Sequence, residues 1–293
     1  MQVGILGGGR WGQALARVVM AAGHQPLIAW KDVKPPHLFP SSNKPPEVSE
    51  RCELLLVAAS GSLVRQAIRL AAPGPHNRVV VAGRGVEPGT GTWLTEVVLQ
   101  ESDVLRVGAL AGPAPVEEIL QGGLCAGVVA SPFKEVQDLT TEALHCSRYR
   151  VYHSHDLLGV QIASAAVPVI ASLLSITSGL RGAGTGLNAL VLTRALSETS
   201  RLVEAMGGAP ETLYGLAGLG DLLAVKEQDR YRVPRGERPP DGPVALAQAL
   251  LRLAAEHHVE MPLTEGLEAF HRGVDPLEVV GALMARKAQP ERR

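Results

Sequence analysis

Val3-Gly4-Ile5-Leu6-Gly7-Gly8-Gly9-Arg10-Trp11-Gly12 is the stretch that decides the fold. Residues 3–6 form a short apolar run that reads as a buried strand. The next six residues fit G-x-G-x-x-G, and residues 13–22 carry the pattern of a helix. Strand, glycine turn and helix in this order make the dinucleotide-binding fingerprint. Each glycine has its own physical reason. Gly7 permits the tight turn, Gly9 lets the backbone approach a pyrophosphate, and Gly12 lets the helix lie close to the strand. The free N–H groups of the first helical turn then face the phosphates. Gly7, Gly9, Arg10, Trp11 and Gly12 are therefore candidate cofactor-binding residues. The competing reading is a domain that keeps this turn without a nucleotide.

Downstream, residues 25–30 read as a second strand. A dinucleotide domain places an acid on the adenine ribose close to this point. Asp32 follows Gly12 by 20 residues, and Lys31 beside it suits a 2′-phosphate instead, so NAD and NADP both stay open. The bland alternative is two solvated loop charges. Residues 33–48 contain five prolines and are expected to form a loop. Residues 52–59 are a continuous apolar run, the pattern of a strand buried on both faces, and Ser60-Gly61 follows it. Helical periodicity over 62–72 precedes a strand at 78–82 that ends in Gly83-Arg84-Gly85. Helices are expected at 92–100, 117–121 and 134–144, and strands at 104–109, 126–130 and 149–152. This alternation predicts an α/β fold, a Rossmann-like doubly wound parallel sheet. Ligands sit at the carboxyl ends of such strands, which would gather the 7–12 turn, Ser60 and Arg84 at one edge.

From Asp156 onward no strand alternation remains. Helices are expected at 156–179, 189–206, 211–216, 244–257, 263–271 and 276–286, with a mobile loop at 233–243. The division expected is a dinucleotide-binding domain over 1–152 and an all-α substrate domain over 153–293. Residues 157–176 carry no charge and are long enough to span a bilayer. Gln161, Pro168 and several serines, without flanking basic or aromatic belts, favour a buried core helix over a membrane span.

Hydrophobic residues make up 46% of the 293 and charged ones 19%, the balance of a soluble globular protein. With a net charge of −1 there is no global field to attract nucleic acid or an anionic membrane. Cys52, Cys125 and Cys146 are scattered without C-x-x-C spacing, which argues against a disulfide framework or a metal site and for a reducing, cytoplasmic setting. The first residues lack the basic and long apolar regions of a signal peptide.

Residues 4–16 (GILGGGRWGQALA), 83–91 (GRGVEPGTG), 111–123 (AGPAPVEEILQGG), 188–198 (NALVLTRALSE) and 215–223 (GLAGLGDLL) occur in this order. Together they resemble the NAD(P)-dependent glycerol-3-phosphate dehydrogenases over nearly the whole chain. The resemblance implies hydride transfer between a nicotinamide and dihydroxyacetone phosphate, giving glycerol 3-phosphate, in a possible homodimer. It also implies a lysine that handles the alcohol proton, within a Gly-Ala-Leu-Lys-Asn run. That run falls on Ser164-Ala165-Ala166-Val167-Pro168, so the lysine position is Val167 and the asparagine position Pro168. Valine has no proton to give. Another family lysine is here Arg84, which keeps the charge but is no base. The family's Gly-Asp-Asn run is here Gly184-Thr185-Gly186, and a lysine near it is Asn188.

Among the family's residues, the acid of Gly-Leu-Gly-Asp survives as Asp221, a candidate catalytic residue or simply a helix cap. Arg84, Arg194, Arg230 and Arg232 are candidate substrate-binding cations. Arg194 can equally be a structural ion-pair partner, and Arg230 and Arg232 solvated loop charges. Lys226 is a relocated proton donor or a surface lysine. His153 and His155 at the domain junction titrate near neutrality if unperturbed or serve as hinge residues. A catalytically silent nucleotide-binding member and a dehydrogenase for another small alcohol are the alternatives to the family reaction.

Overall fold

The apolar runs pair into one eight-stranded sheet in the computed structural model, which describes residues 1–225, 236–239 and 242–285. The strands are β1 (Gln2–Leu6), β2 (Gln25–Ala29), β3 (Ser41–Ser42), β4 (Leu54–Val57), β5 (Arg78–Val81), β6 (Arg106–Ala111), β7 (Cys125–Ala130) and β8 (Tyr149–Ser154). Their order across the sheet is β3-β2-β1-β4-β5-β6-β7-β8. All four residues of β4 are buried, because helices cover both of its faces and leave no side that must be polar.

The doubly wound, mostly parallel α/β sheet is the expected one, and two details differ. The sheet is not wholly parallel, since β7 runs antiparallel to β6 and parallel to β8. Antiparallel neighbours need only a return connection, and residues 112–124 make that return with one five-residue helix, α5 (Val116–Leu120). The 33–48 stretch is also not all loop. It holds β3 and the start of helix α2 (Pro45–Arg51). Proline is tolerated there because the first helical N–H has no partner in any case.

One sheet face carries Ile5, Ile28, Leu56 and Leu110 against helices α1 (Arg10–Ala21), α5 and α6 (Lys134–Leu144). The other carries Leu6, Leu27, Val57, Val81 and Val107 under α2, α3 (Gly61–Ala71) and α4 (Leu94–Gln100). On that same side, Ala109, Val128 and Ala130 join a core built by α7 (Leu157–Ser178), α8 (Thr185–Ala205), α10 (Pro243–Glu256) and α11 (Pro262–Arg272). A last helix, α12 (Pro276–Met284), packs on α11.

Helix α7 is thus enclosed between the sheet and other helices. It is long and apolar enough to cross a membrane, and 89% of that apolar window is buried inside the molecule, the pattern of a core helix. Its start is fixed by Asp156. One carboxylate oxygen accepts the Gly159 N–H at 2.9 Å, and the other accepts the Ala209 N–H at 3.0 Å and the Thr212 hydroxyl at 2.6 Å. A second acid, this one buried, does the same for α11. Glu198, on α8, accepts the N–H groups of Leu263 and Thr264, each at 3.0 Å, and the Thr264 hydroxyl at 2.7 Å.

Candidate functional site

The glycine turn joins β1 to α1 under tight steric limits. Gly7 holds a φ of +132°, a left-handed geometry, and a Cβ there would lie 2.8 Å from the Ala58 carbonyl oxygen. A Cβ on Gly12 would come within 1.9 Å of the Gly7 carbonyl oxygen. Gly9 is different, with nothing within 4 Å of its Cβ position. The turn is therefore closed on the protein side and open on the cleft side, the shape a pyrophosphate requires. No acidic residue occupies the first turn of α1, so the helix dipole there meets no opposing charge. Trp11 locks the turn to the end of β5 by donating its indole N–H to the Ala82 carbonyl at 2.7 Å. Arg10 pairs with Glu117 on α5, and its guanidinium holds the Glu117 carboxyl below the usual range.

A cavity of about 370 Å³ opens from this turn. Gly9, Arg10, Trp11 and Ser60 line it, as do Arg84, Ser164 and Asp221, together with Leu110, Gly112 and Tyr149. Arg84 sits on the 83–85 tip after β5. Gly85, at φ +74°, lets that tip press on α7, where a Cβ would meet the Gln161 carbonyl oxygen at 2.2 Å. Asp221 opens the short helix α9 (Asp221–Val225), directly after a widened π-type turn at Leu216–Gly220. Such turns re-aim the residues that follow them. The buried Asp221 carboxylate meets the Arg84 guanidinium in an ion pair across 137 positions of sequence. Two residues far apart in the chain thus meet directly in the cavity lining.

Helix α7 contributes to the cavity lining through Ser164, whose hydroxyl lies 3.4 Å from the Gly83 carbonyl oxygen. Pro168 has no N–H, so the Ser164 carbonyl lacks its partner one turn on. Val167 is buried in the apolar core and is absent from the cavity wall. The position where the family resemblance places a lysine is a packing residue.

Several candidates lie elsewhere. Lys31 and Asp32 follow β2 as exposed residues outside the cavity lining. The segment that follows folds back on the glycine turn, where a Cβ on Gly8 would lie 2.0 Å from the Val33 carbonyl oxygen. Arg194 is exposed on α8, away from the cavity. Arg230, Arg232 and Lys226 lie outside the described residues. His153 and His155 contact Thr141 and Gln137 of α6 rather than the cleft. Among the described residues no group of His, Cys, Asp and Glu is placed to hold a metal ion.

Sequence reasoning missed Tyr149, whose side chain is buried yet lines the cavity. Its signal was Gly127, a lone glycine inside a strand, which marks a close approach. A Cβ there would sit 2.3 Å from the Tyr149 hydroxyl.

Two family models match the chain. The model of the NAD-dependent glycerol-3-phosphate dehydrogenase N-terminus covers residues 29–137, and that of the C-terminus covers 156–233. A glycerol-3-phosphate dehydrogenase [NAD(P)+] of Thioalkalivibrio sulfidiphilus is 32% identical over 99% of this chain and 98% of its own length. One of Nitrosococcus oceani is 31% identical over 98% and 94%. The crystal structure of glycerol-3-phosphate dehydrogenase from Coxiella burnetii superposes with a TM-score of 0.86 at 25% identity, covering 97% of this chain and 99% of that one.

Proposed function

The chain belongs to the NAD(P)-dependent glycerol-3-phosphate dehydrogenase family, and on that premise we propose that it is an oxidoreductase interconverting dihydroxyacetone phosphate and glycerol 3-phosphate with NAD or NADP. The observation that carries this reading is the single cleft holding both an open pyrophosphate turn and the Arg84–Asp221 pair. The nicotinamide, when bound, supplies or accepts the hydride at the substrate carbon.

The chain's own residues do the rest. The N–H groups at the start of α1 hold the pyrophosphate, which Gly9 leaves room to approach. Arg84 offers a fixed cation to the substrate phosphate, oriented by Asp221. Ser164, beside Gly83, presents a hydroxyl in the same cavity. The proton for the carbonyl oxygen cannot come from Val167. In this reading water in the open cleft delivers it, at a rate about 10²–10⁴-fold below that of a positioned acid. In the same proposal residues 1–152 bind the dinucleotide and 153–293 complete the substrate side. The protein acts as a cytosolic homodimer, a setting that its three free cysteines suit and that sedimentation tests.

Steady-state assays with dihydroxyacetone phosphate and each reduced nicotinamide test the reading. Turnover above background supports it. Dinucleotide binding without turnover rejects it in favour of a catalytically silent member, the second reading, which the buried Val167 and Pro168 favour.

A further inference from the structure

Tyr149 opens β8 opposite Cys125 of β7. Its ring crosses β7 at Gly127, the one place on that strand where no side chain would block it. The phenol packs with Leu110 and Val129 on the sheet face that also carries Trp11, Ala114 and Val116. The residue is only 2% exposed, but it borders the cavity. Its hydroxyl has no hydrogen-bond partner among the described residues. The oxygen is not among the fully buried atoms that lack a partner, so it reaches the cavity, where a ligand can meet it.

We propose that the Tyr149 hydroxyl holds the carboxamide of the bound nicotinamide, an inference that rests on the dinucleotide reading above. The lining residues differ in character, and that separates the possible ligands. Arg84, paired with Asp221, and Ser164 beside Gly83 offer charge and a hydroxyl, suited to a small phosphorylated polyol. Tyr149 stands among Leu110, Ala114, Val116 and Trp11, an apolar surround suited to a flat ring with one polar substituent. A neutral phenol can donate to the amide oxygen and accept from the amide nitrogen. Burial, with the nearby Cys125 and Asp221, pushes the phenol pKa up, so the proton stays in place at physiological pH.

The test measures affinities of the full chain by calorimetry, wild type against Tyr149→Phe, for NAD and for ADP-ribose, which lacks the nicotinamide. The 2′-phosphorylated pair is run in parallel. Loss of one hydrogen bond is expected to weaken the dinucleotide about 3- to 10-fold while leaving the ADP-ribose form within about twofold of wild type. Equal weakening of both ligands would make Tyr149 a packing residue and overturn the proposal. No change in either would overturn it too. Unchanged dinucleotide affinity with a raised KM for dihydroxyacetone phosphate would assign the hydroxyl to the substrate instead. If wild type binds neither ligand, the dinucleotide reading fails first and carries this inference with it.

Discussion

The two walls of the cleft obey different kinds of constraint. At the glycine turn the limits are set by backbone atoms: the Gly7 carbonyl stands where a Cβ of residue 12 would go, and the Ala58 carbonyl where one of residue 7 would go. Nothing larger than hydrogen satisfies them, so the spacing survives wherever the geometry does. The α7 wall is set by side chains. Helix α7 remains a 22-residue helix with a proline inside it, because its neighbours bury nearly all of it. Packing of this kind offsets a lost backbone bond that would break an exposed helix. A buried helix can therefore hold its place whatever polar or apolar groups it presents to the cleft. Fold and reaction are held by separable physics here, and each wall can be tested against the other.

The largest effect is expected on the α7 wall. Val167→Lys with Pro168→Asn restores an ionisable group and a backbone N–H. Val167 itself does not line the cavity, but a lysine's long stem can carry its ammonium towards Ser164, one turn away, and if wild type is slow only for want of a proton donor, kcat should rise about 10²–10⁴-fold. Dinucleotide affinity, measured on the same protein, reports that the fold has absorbed the lysine. A wild type as active as the double variant would end the view that this wall limits the reaction.

On the glycine side, Gly12→Val puts a side chain onto the Gly7 carbonyl. Dinucleotide affinity should fall about 100-fold or more, with destabilisation of about 1–3 kcal/mol from overpacking. Gly9→Ala is the control, since its Cβ has open space. Its Tm should match wild type while dinucleotide binding weakens. Equal Tm losses in the two variants would contradict the division between a closed and an open side of the turn.

The pair that bridges the walls comes next. Arg84→Ala removes a guanidinium from the buried Asp221 carboxylate. Breaking such a pair costs about 3 kcal/mol, read as a shift in the urea midpoint, and the KM for dihydroxyacetone phosphate should rise. Arg84→Lys should recover part of the stability but less of the KM, because an ammonium does not reproduce the planar fork.

This difference between walls also explains what the sequence made legible. The turn, the βα alternation and the start of α7 at Asp156 were readable because sterics, periodicity and capping act locally. The substitution of Val167 was readable from the resemblance, and its burial follows from a helix that is apolar all round. The reversal of β7 was not, since strand direction depends on how residues 112–124 return, not on the pattern within the strand. Nor was the Arg84–Asp221 contact, which joins residues brought together by the π-type turn. Lys31 and Asp32 were picked out by spacing alone, and the structure leaves them exposed after β2, outside the cavity lining.

The smallest effect expected is a pH dependence confined to the helical side. Burial pushes the Glu198 carboxyl up to about 7 from 4.5, against the three hydrogen bonds it accepts from Leu263 and Thr264. A raised carboxyl means that the folded protein holds a proton the unfolded chain releases. The associated stability is complete below about pH 4.5 and is lost as pH rises through 7, at no more than about 1.4 kcal/mol per pH unit. Urea midpoints of wild type should therefore decline from pH 5 to 7 relative to Glu198→Gln, which does not titrate there. The slopes carry the comparison, because glutamine alters the baseline by presenting an amide N–H₂ to one of the capped N–H groups. Amide exchange then localises the effect. Protection at residues 262–266, at the start of α11, should fall over this range while protection around the 7–12 turn stays level. Parallel slopes for the two proteins would mean that the capping N–H groups keep Glu198 charged throughout, and that both sides of the cleft are equally indifferent to pH.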